Sequence, residues 1–305
     1  MAAEVAVVAP DVAEMAAEIA QVPATSRCGR LWQAAGMERA VSGGVNLLGR
    51  AALAALGHRV DAWGEEHLPT DGPAILAATH VSYPDFVMIQ AAALRRRRQV
   101  RFLCRHDAWE HPVAGPVLHA LRHIPVDRDA PAGAYLAARR ALRDGDVVGL
   151  FPEAGISYSY TVRALMPGAV SLASETGVPV IPVALWGPQR IYSVGRPVDG
   201  VEPLPDWTRR RRIDVWFGTP IRVAPDADVR AETAGLGHRL TAMLEGLQRL
   251  PHHLPQPGEA APWYPAHLGG QAPDRTEAAL LDVVPRSAVR PTWGPGCGPD
   301  GVATG

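Results

Sequence analysis

His80-Val-Ser-Tyr-Pro-Asp85 sets a histidine and an aspartate five positions apart, directly after the apolar run Ala74-Ile-Leu-Ala-Ala-Thr79 and at the opening of a helix. If the turn brings the Asp85 carboxylate to one ring nitrogen of His80, it fixes the tautomer and leaves the other nitrogen to take a proton from a hydroxyl. Such a pair activates an alcohol. The same hexapeptide also fits a capping box, with Ser82 as N-cap, Pro84 in the first turn and Asp85 reaching back to a backbone N–H. On that reading Asp85 only closes a helix, and His80 is an ordinary strand-end residue.

Further segments carry related chemistry. Ile124-Pro-Val-Asp-Arg128-Asp-Ala-Pro131 places Arg128 after a strand and before a helix that Asp129 would cap. An anion there would meet a guanidinium and a helix N-terminus together. Phe151-Pro-Glu153-Ala-Gly155-Ile-Ser157 ends another strand with an acid, and Gly155 would let the backbone approach a ligand closely. Val178-Pro-Val-Ile-Pro182-Val-Ala-Leu185 reads as a strand with interrupted pairing, either plain core or the wall of a greasy channel lined by Val180 and Pro182.

These residues need a scaffold, and the chain supplies one by alternating strand-like and helix-like stretches from residue 73 to about 224. Strands are expected at 74–79, 100–103, 123–126, 146–151, 178–185 and 213–217. Helices are expected at 84–97, 112–122, 131–143, 168–176 and 226–247. The fold class is α/β, with a mostly parallel or mixed central sheet flanked by helices and preceded by apolar N-terminal helices. His80 and Glu153 then fall at carboxyl ends of strands, where open α/β sheets place their ligand crevices. The expected division is a weakly ordered leader (1–27), amphipathic helices able to lie on a membrane or on the protein's own core (28–60), the main domain (61–250) and a Pro/Gly-rich tail (251–305). That tail reads as loop or disordered chain with a short helix near Thr276–Leu281.

Composition narrows the function classes. The 305 residues carry a formal net charge of −1, which offers no global case for nucleic-acid binding. Every basic side chain other than histidine is arginine, and Arg95–Arg98 and Arg209–Arg212 form runs that could meet lipid headgroups or simply face solvent. Cys28, Cys104 and Cys297 are widely spaced, so neither a disulfide framework nor a zinc site is expected, and a reducing compartment fits. The start lacks the order of a signal peptide, and no apolar run reaches the roughly 18–20 residues that span a bilayer.

The four blocks, in this order, resemble the 1-acylglycerol-3-phosphate acyltransferase family of phospholipid and glycerol acyltransferases, from about Leu68 to Ile221. His80 and Asp85 match its His-x4-Asp block, Val126-Asp-Arg128 its arginine block, Phe151-Pro-Glu153 its Phe-Pro-Glu block and Val178-Pro-Val-Ile-Pro182 its apolar proline block. The resemblance implies an acyl transfer in which His80, oriented by Asp85, is general base on an acceptor hydroxyl that attacks an acyl thioester. Acyl-CoA or acyl carrier protein would be the co-substrate, with no bound cofactor or metal. Arg128 would hold the acceptor's anionic headgroup, with Glu153, Gly155 and Ser157 shaping its site. The third block departs from the family's Gly-Thr-Arg-Ser continuation: Ile156 stands where an arginine is expected, and Arg163 is the displaced candidate for that charge. The implied partners are a lyso-lipid and the cytoplasmic face of a membrane, met peripherally. A hydrolase lacks its Gly-x-Ser-x-Gly elbow here, and a silent lipid-binding member of the fold is the remaining alternative.

Overall fold

The apolar runs read from the sequence become the interior of one seven-stranded sheet. The computed structural model describes residues 35–112, 114–127, 129–196, 203–282 and 290–294. Its strands are β1 (Arg59–Trp63), β2 (Ala74–Ala78), β3 (Val100–Arg105), β4 (Ile124–Val126), β5 (Val147–Leu150), β6 (Val180–Trp186) and β7 (Arg212–Phe217), in the order β1-β7-β6-β2-β5-β3-β4. Every pairing is parallel except β6 with β7. The sheet is therefore mixed, as expected for the fold class. Strands β2, β5 and β6 are buried along their whole length, which is why they read as continuous apolar runs rather than alternating ones.

The helices are α1 (Ala35–Ala55), α2 (Asp85–Ala93), α3 (Ala114–Ala120), α4 (Ala132–Arg143), α5 (Gly168–Thr176), α6 (Val229–Gln248) and α7 (Arg275–Leu281). Helix α2 stops short of its expected end: a 3-10 turn follows over Leu94–Arg96, and Arg97 takes a left-handed φ of 57°. Asp129 does not cap α4, whose N-cap is Pro131 with no side-chain bond. Helix α1 packs Leu53 against the core while Leu47 and Leu48 stay exposed, so its wide apolar face is only partly used. Residues 28–34 of the expected amphipathic segment lie outside the described residues, as does the leader.

Strand β1 was not expected. Its five residues show no apolar run, and it exists because it lies parallel to β7, Val60 opposite Ile213. The proline interruption of β6 also finds its reason here. Pro182 sits where the ladder to β7 breaks: between the pairs Val183–Phe217 and Val180–Ile221, two residues of β6 face three of the other chain. The missing N–H of Pro182 costs nothing at such a bulge, while its carbonyl accepts from Gly218 N at 2.8 Å. The arginine runs are largely spent on the scaffold. Arg98 is buried and donates to the carbonyls of Pro69 (2.9 Å) and Gly72 (2.6 Å), Arg95 donates to Val60, and Arg212 pairs with Asp61. Those contacts account for part of each run.

The segment after Pro251 is irregular, as its Pro and Gly content dictates, but its described part is built into the core. Ala261, Tyr264 and Ala272 are buried, and the Tyr264 hydroxyl donates to Gln248 O at 2.9 Å. Trp293 lies so close over Gly237 of α6 that a Cβ there would come within 2.2 Å of its ring.

Candidate active site

The parallel register of β2 and β5 sets Ala77 opposite Leu150, so residues three further along each strand, His80 and Glu153, emerge side by side. Backbone and side chain then lock the two strand ends together. Glu153 Oε1 accepts from His80 N at 2.8 Å, and Oε2 accepts from Arg163 N at 2.8 Å. Both oxygens are thus spent on backbone amides inside the protein. Glu153 is a staple between the His80 strand end and the 151–163 loop, not a group turned to the crevice as expected.

His80 Nδ1 lies 2.9 Å from Asp85 Oδ2. The same oxygen accepts from Val81 N (2.7 Å) and Ser82 N (2.9 Å), and Oδ1 takes the Ser82 hydroxyl. Four donors converge on one buried carboxylate, so the His80 nitrogen facing it must carry the proton. Asp85 therefore combines one feature of each sequence reading. It reaches back to backbone N–H groups from the first position of α2, and it orients the imidazole. Ser82 is not the N-cap; that position is Pro84.

An aromatic bed fixes the ring plane. His80 stacks on Phe151 with centroids 4.1 Å apart, and Phe151 stacks on Phe102 at 5.7 Å. Gly149 makes this possible, because a Cβ there would strike the Phe102 ring at 2.5 Å. The connection after β6 braces the loop from the other side, with the Ser193 hydroxyl donating to Val81 O at 2.6 Å and Tyr192 packed on Tyr83. Among the described residues none bonds to Nε2 of His80, whose side chain is 20% exposed. The arrangement offers one oriented, accessible imidazole lone pair.

The other expected residues divide. Gly155 is half-buried in the loop beyond Glu153, but the left-handed turn there is made by Ala154, with φ 54°. Ser157 is buried, its hydroxyl engaged with Ser159 at 2.8 Å and Asp282 at 3.4 Å. Arg163 joins the site through its backbone; its guanidinium is buried, 3.7 Å from Asp282 and turned to the Ile156 carbonyl. The expectation that Arg163 supplies a phosphate charge is corrected by that pairing. Val180 and Pro182 are buried in the centre of the sheet, under α6, so neither lines a channel. Arg128 lies outside the described residues. Asp282, Ser193 and Phe102 carried no sequence signal, since each acts through a contact made far along the chain. Cys104 is no rival nucleophile, because burial pushes its thiol up to about 12.

Burial also raises the Glu153 carboxyl to about 8, against the pull of the His80 and Arg163 amides and the Arg163 charge and with the repulsion of Asp85. A folded value above the unfolded 4.5 means a contribution fully present below about 4.5 and lost as the pH climbs through 8. Glu153→Gln should therefore flatten the stability–pH curve between about 5 and 9, a span worth a few kcal/mol in the parent. Urea unfolding across that range measures it; an unchanged slope would remove Glu153 as its source.

Comparison with known proteins relates this sheet to acyltransferases. Residues 59–186, the whole run from β1 to β6, match the sequence profile of the Acyltransferase family. The chain is 26% identical over 191 residues to a 1-acyl-sn-glycerol-3-phosphate acyltransferase of Bacillus subtilis, covering 62% of this chain and 85% of that protein. A chloroplastic 1-acyl-sn-glycerol-3-phosphate acyltransferase of Brassica napus is 27% identical over 142 residues, 45% of this chain and 40% of its own length. The crystal structure of the 1-acyl-sn-glycerophosphate acyltransferase from Thermotoga maritima shares the fold, with a TM-score of 0.54 and 19% identity over 70% of this chain and 83% of that one. The chain is thus similar to acyltransferases over its central sheet, and the relatives named as 1-acyl-sn-glycerol-3-phosphate acyltransferases share about a quarter of its residues there.

Proposed function

We propose that the protein moves a fatty acyl group from acyl-CoA or acyl carrier protein to the free hydroxyl of a lyso-glycerophospholipid, 1-acylglycerol-3-phosphate foremost. The observation that carries this reading is the His80–Asp85 bond at 2.9 Å with Nε2 left accessible. Nε2 takes the proton of the acceptor hydroxyl as its oxygen attacks the thioester carbonyl. The tetrahedral intermediate collapses, the C–S bond breaks, and the departing sulfur receives the proton from Nε2. No acyl-enzyme forms. Arg128 holds the acceptor's phosphate, and the exposed Leu47 and Leu48 of α1 rest on the membrane surface that supplies the lipid. Among the described residues no helix is long and apolar enough to cross a membrane.

A second reading has its own support. Ile156 replaces the family's arginine and Arg163 is paired with Asp282, so one phosphate-binding charge is missing from this loop. An acceptor without a phosphomonoester answers to that loss.

Thiol release from palmitoyl-CoA and from palmitoyl carrier protein, with lysophosphatidic acid against other lyso-lipids and polyols, separates the two. We expect acceptor-dependent release with lysophosphatidic acid, and a KM for it raised about tenfold or more in Arg128→Ala. Release with another acceptor alone moves the substrate and keeps the chemistry. No acceptor-dependent release from either donor would leave a lipid binder.

A further inference from the structure

Away from the His80 crevice, three side chains distant in sequence converge on one point. Asp214 of β7 is fully buried, and its Oδ2 lies 2.7 Å from His252 Nε2 and 2.9 Å from His253 Nε2. The two histidines end the short 3-10 turn Pro251–His253 that follows α6. The other carboxylate oxygen accepts from Trp63 Nε1 of β1 at 2.7 Å. All three candidate donor atoms lie within 4.8 Å of one another.

We propose that Asp214, His252 and His253 form a binding site for a divalent transition-metal ion, zinc foremost, with Oδ2 and the two Nε2 atoms as ligands and a solvent molecule as the fourth. Two imidazoles and a carboxylate are the donor set that borderline-soft cations take. Trp63 acts from behind the carboxylate, fixing its rotation so that Oδ2 faces the imidazoles, as an outer partner does at a metal centre. The buried carboxylate and the two imidazoles thus already face one another around a common point.

The geometry needs a small adjustment. Without an ion each Nε2–H donates to Oδ2, whereas bonds of about 2.0–2.1 Å at tetrahedral angles set neighbouring ligands about 3.3 Å apart. The ligands must open by about 0.5 Å. His252, whose side chain is 22% exposed, sits where the chain can yield and where solvent can reach the fourth position. The site would tie β1, β7 and the segment after α6 into one unit. Its ligands are spaced 214, 252 and 253, which matches no metal-binding signature and explains why the sequence showed none.

The test uses the full-length chain without a histidine tag, stripped with EDTA. Zinc is titrated in competition with a chromogenic chelator, and Tm is followed by circular dichroism. We expect one ion per chain, a Tm raised by about 5 °C or more at a hundredfold excess over Kd, and visible d–d bands on substitution with cobalt. His252→Ala keeps Asp214 satisfied by His253 and Trp63, so it should fold yet bind at least about 100-fold more weakly. His267→Ala, an exposed histidine beside Glu245, should bind as the parent does. Absence of saturable binding, or affinity undiminished in His252→Ala, would overturn the proposal and leave the triad a hydrogen-bond network.

Discussion

Replacing His80 with alanine should lower kcat/KM for acyl transfer by about 10³-fold or more, the scale of a lost general base, while leaving the fold in place. The fold survives because the ring contributes little to it. The His80 backbone N–H still reaches Glu153, and Asp85 still receives Val81 N, Ser82 N and the Ser82 hydroxyl. Only the stack on Phe151 and one bond to Asp85 are lost. Steady-state thiol release paired with a thermal melt checks both halves of the claim. A folded His80→Ala protein with parent activity would refute the mechanism.

Asp85 should show the largest combined effect. In Asp85→Ala the amides of Val81 and Ser82 lose a buried acceptor, and the loop carrying His80 loses its centre. A stability loss of about 3–5 kcal/mol follows, together with loss of activity. Asp85→Asn separates the two roles. The amide keeps the shape, and the Ser82 hydroxyl can turn to accept from it, so most of the stability should remain. The carboxylate that holds the imidazole tautomer is nevertheless gone. We expect kcat to fall about 10²-fold or more with KM little changed, because the positioning of the base matters in the transition state and not in binding. Chemical unfolding of both variants beside their kinetics decides. If Asp85→Asn kept full kcat, Asp85 would be a helix-start residue alone.

The site was legible where its chemistry is local in the chain. His80 and Asp85 sit across a single turn, so their spacing allowed their meeting beside a plain helix start, and the structure shows the contact. The buried strands β2, β5 and β6 were equally plain, since full burial on both faces leaves an uninterrupted apolar run. The misreadings share a different origin. Glu153 read as a crevice acid because its strand end was correctly placed, but nothing nearby showed that the Arg163 amide would claim its second oxygen. Arg163 read as a spare charge because Asp282, its partner, lies in a segment whose prolines and glycines suggested loose chain. Val180 and Pro182 read as channel wall because a proline in a central strand looks anomalous until the bulge opposite Gly218 is seen.

What the amino-acid order determined by itself is the set of short-range facts: the α/β alternation, the strand ends that carry His80 and Glu153, and the turn that brings Asp85 to the imidazole. These rest on side-chain periodicity and on contacts within a few residues, which local geometry enforces. The tertiary structure alone decided the rest: the pairing of β1 with β7, the burial of the segment after Pro251, the Arg163–Asp282 pair and the convergence of Asp214 with His252 and His253. Each joins groups tens of residues or more apart, and neither partner carries a local preference for the other. Such contacts form only when the sheet has set its strand order, because it is the burial of the whole core that offsets the cost of closing those long loops.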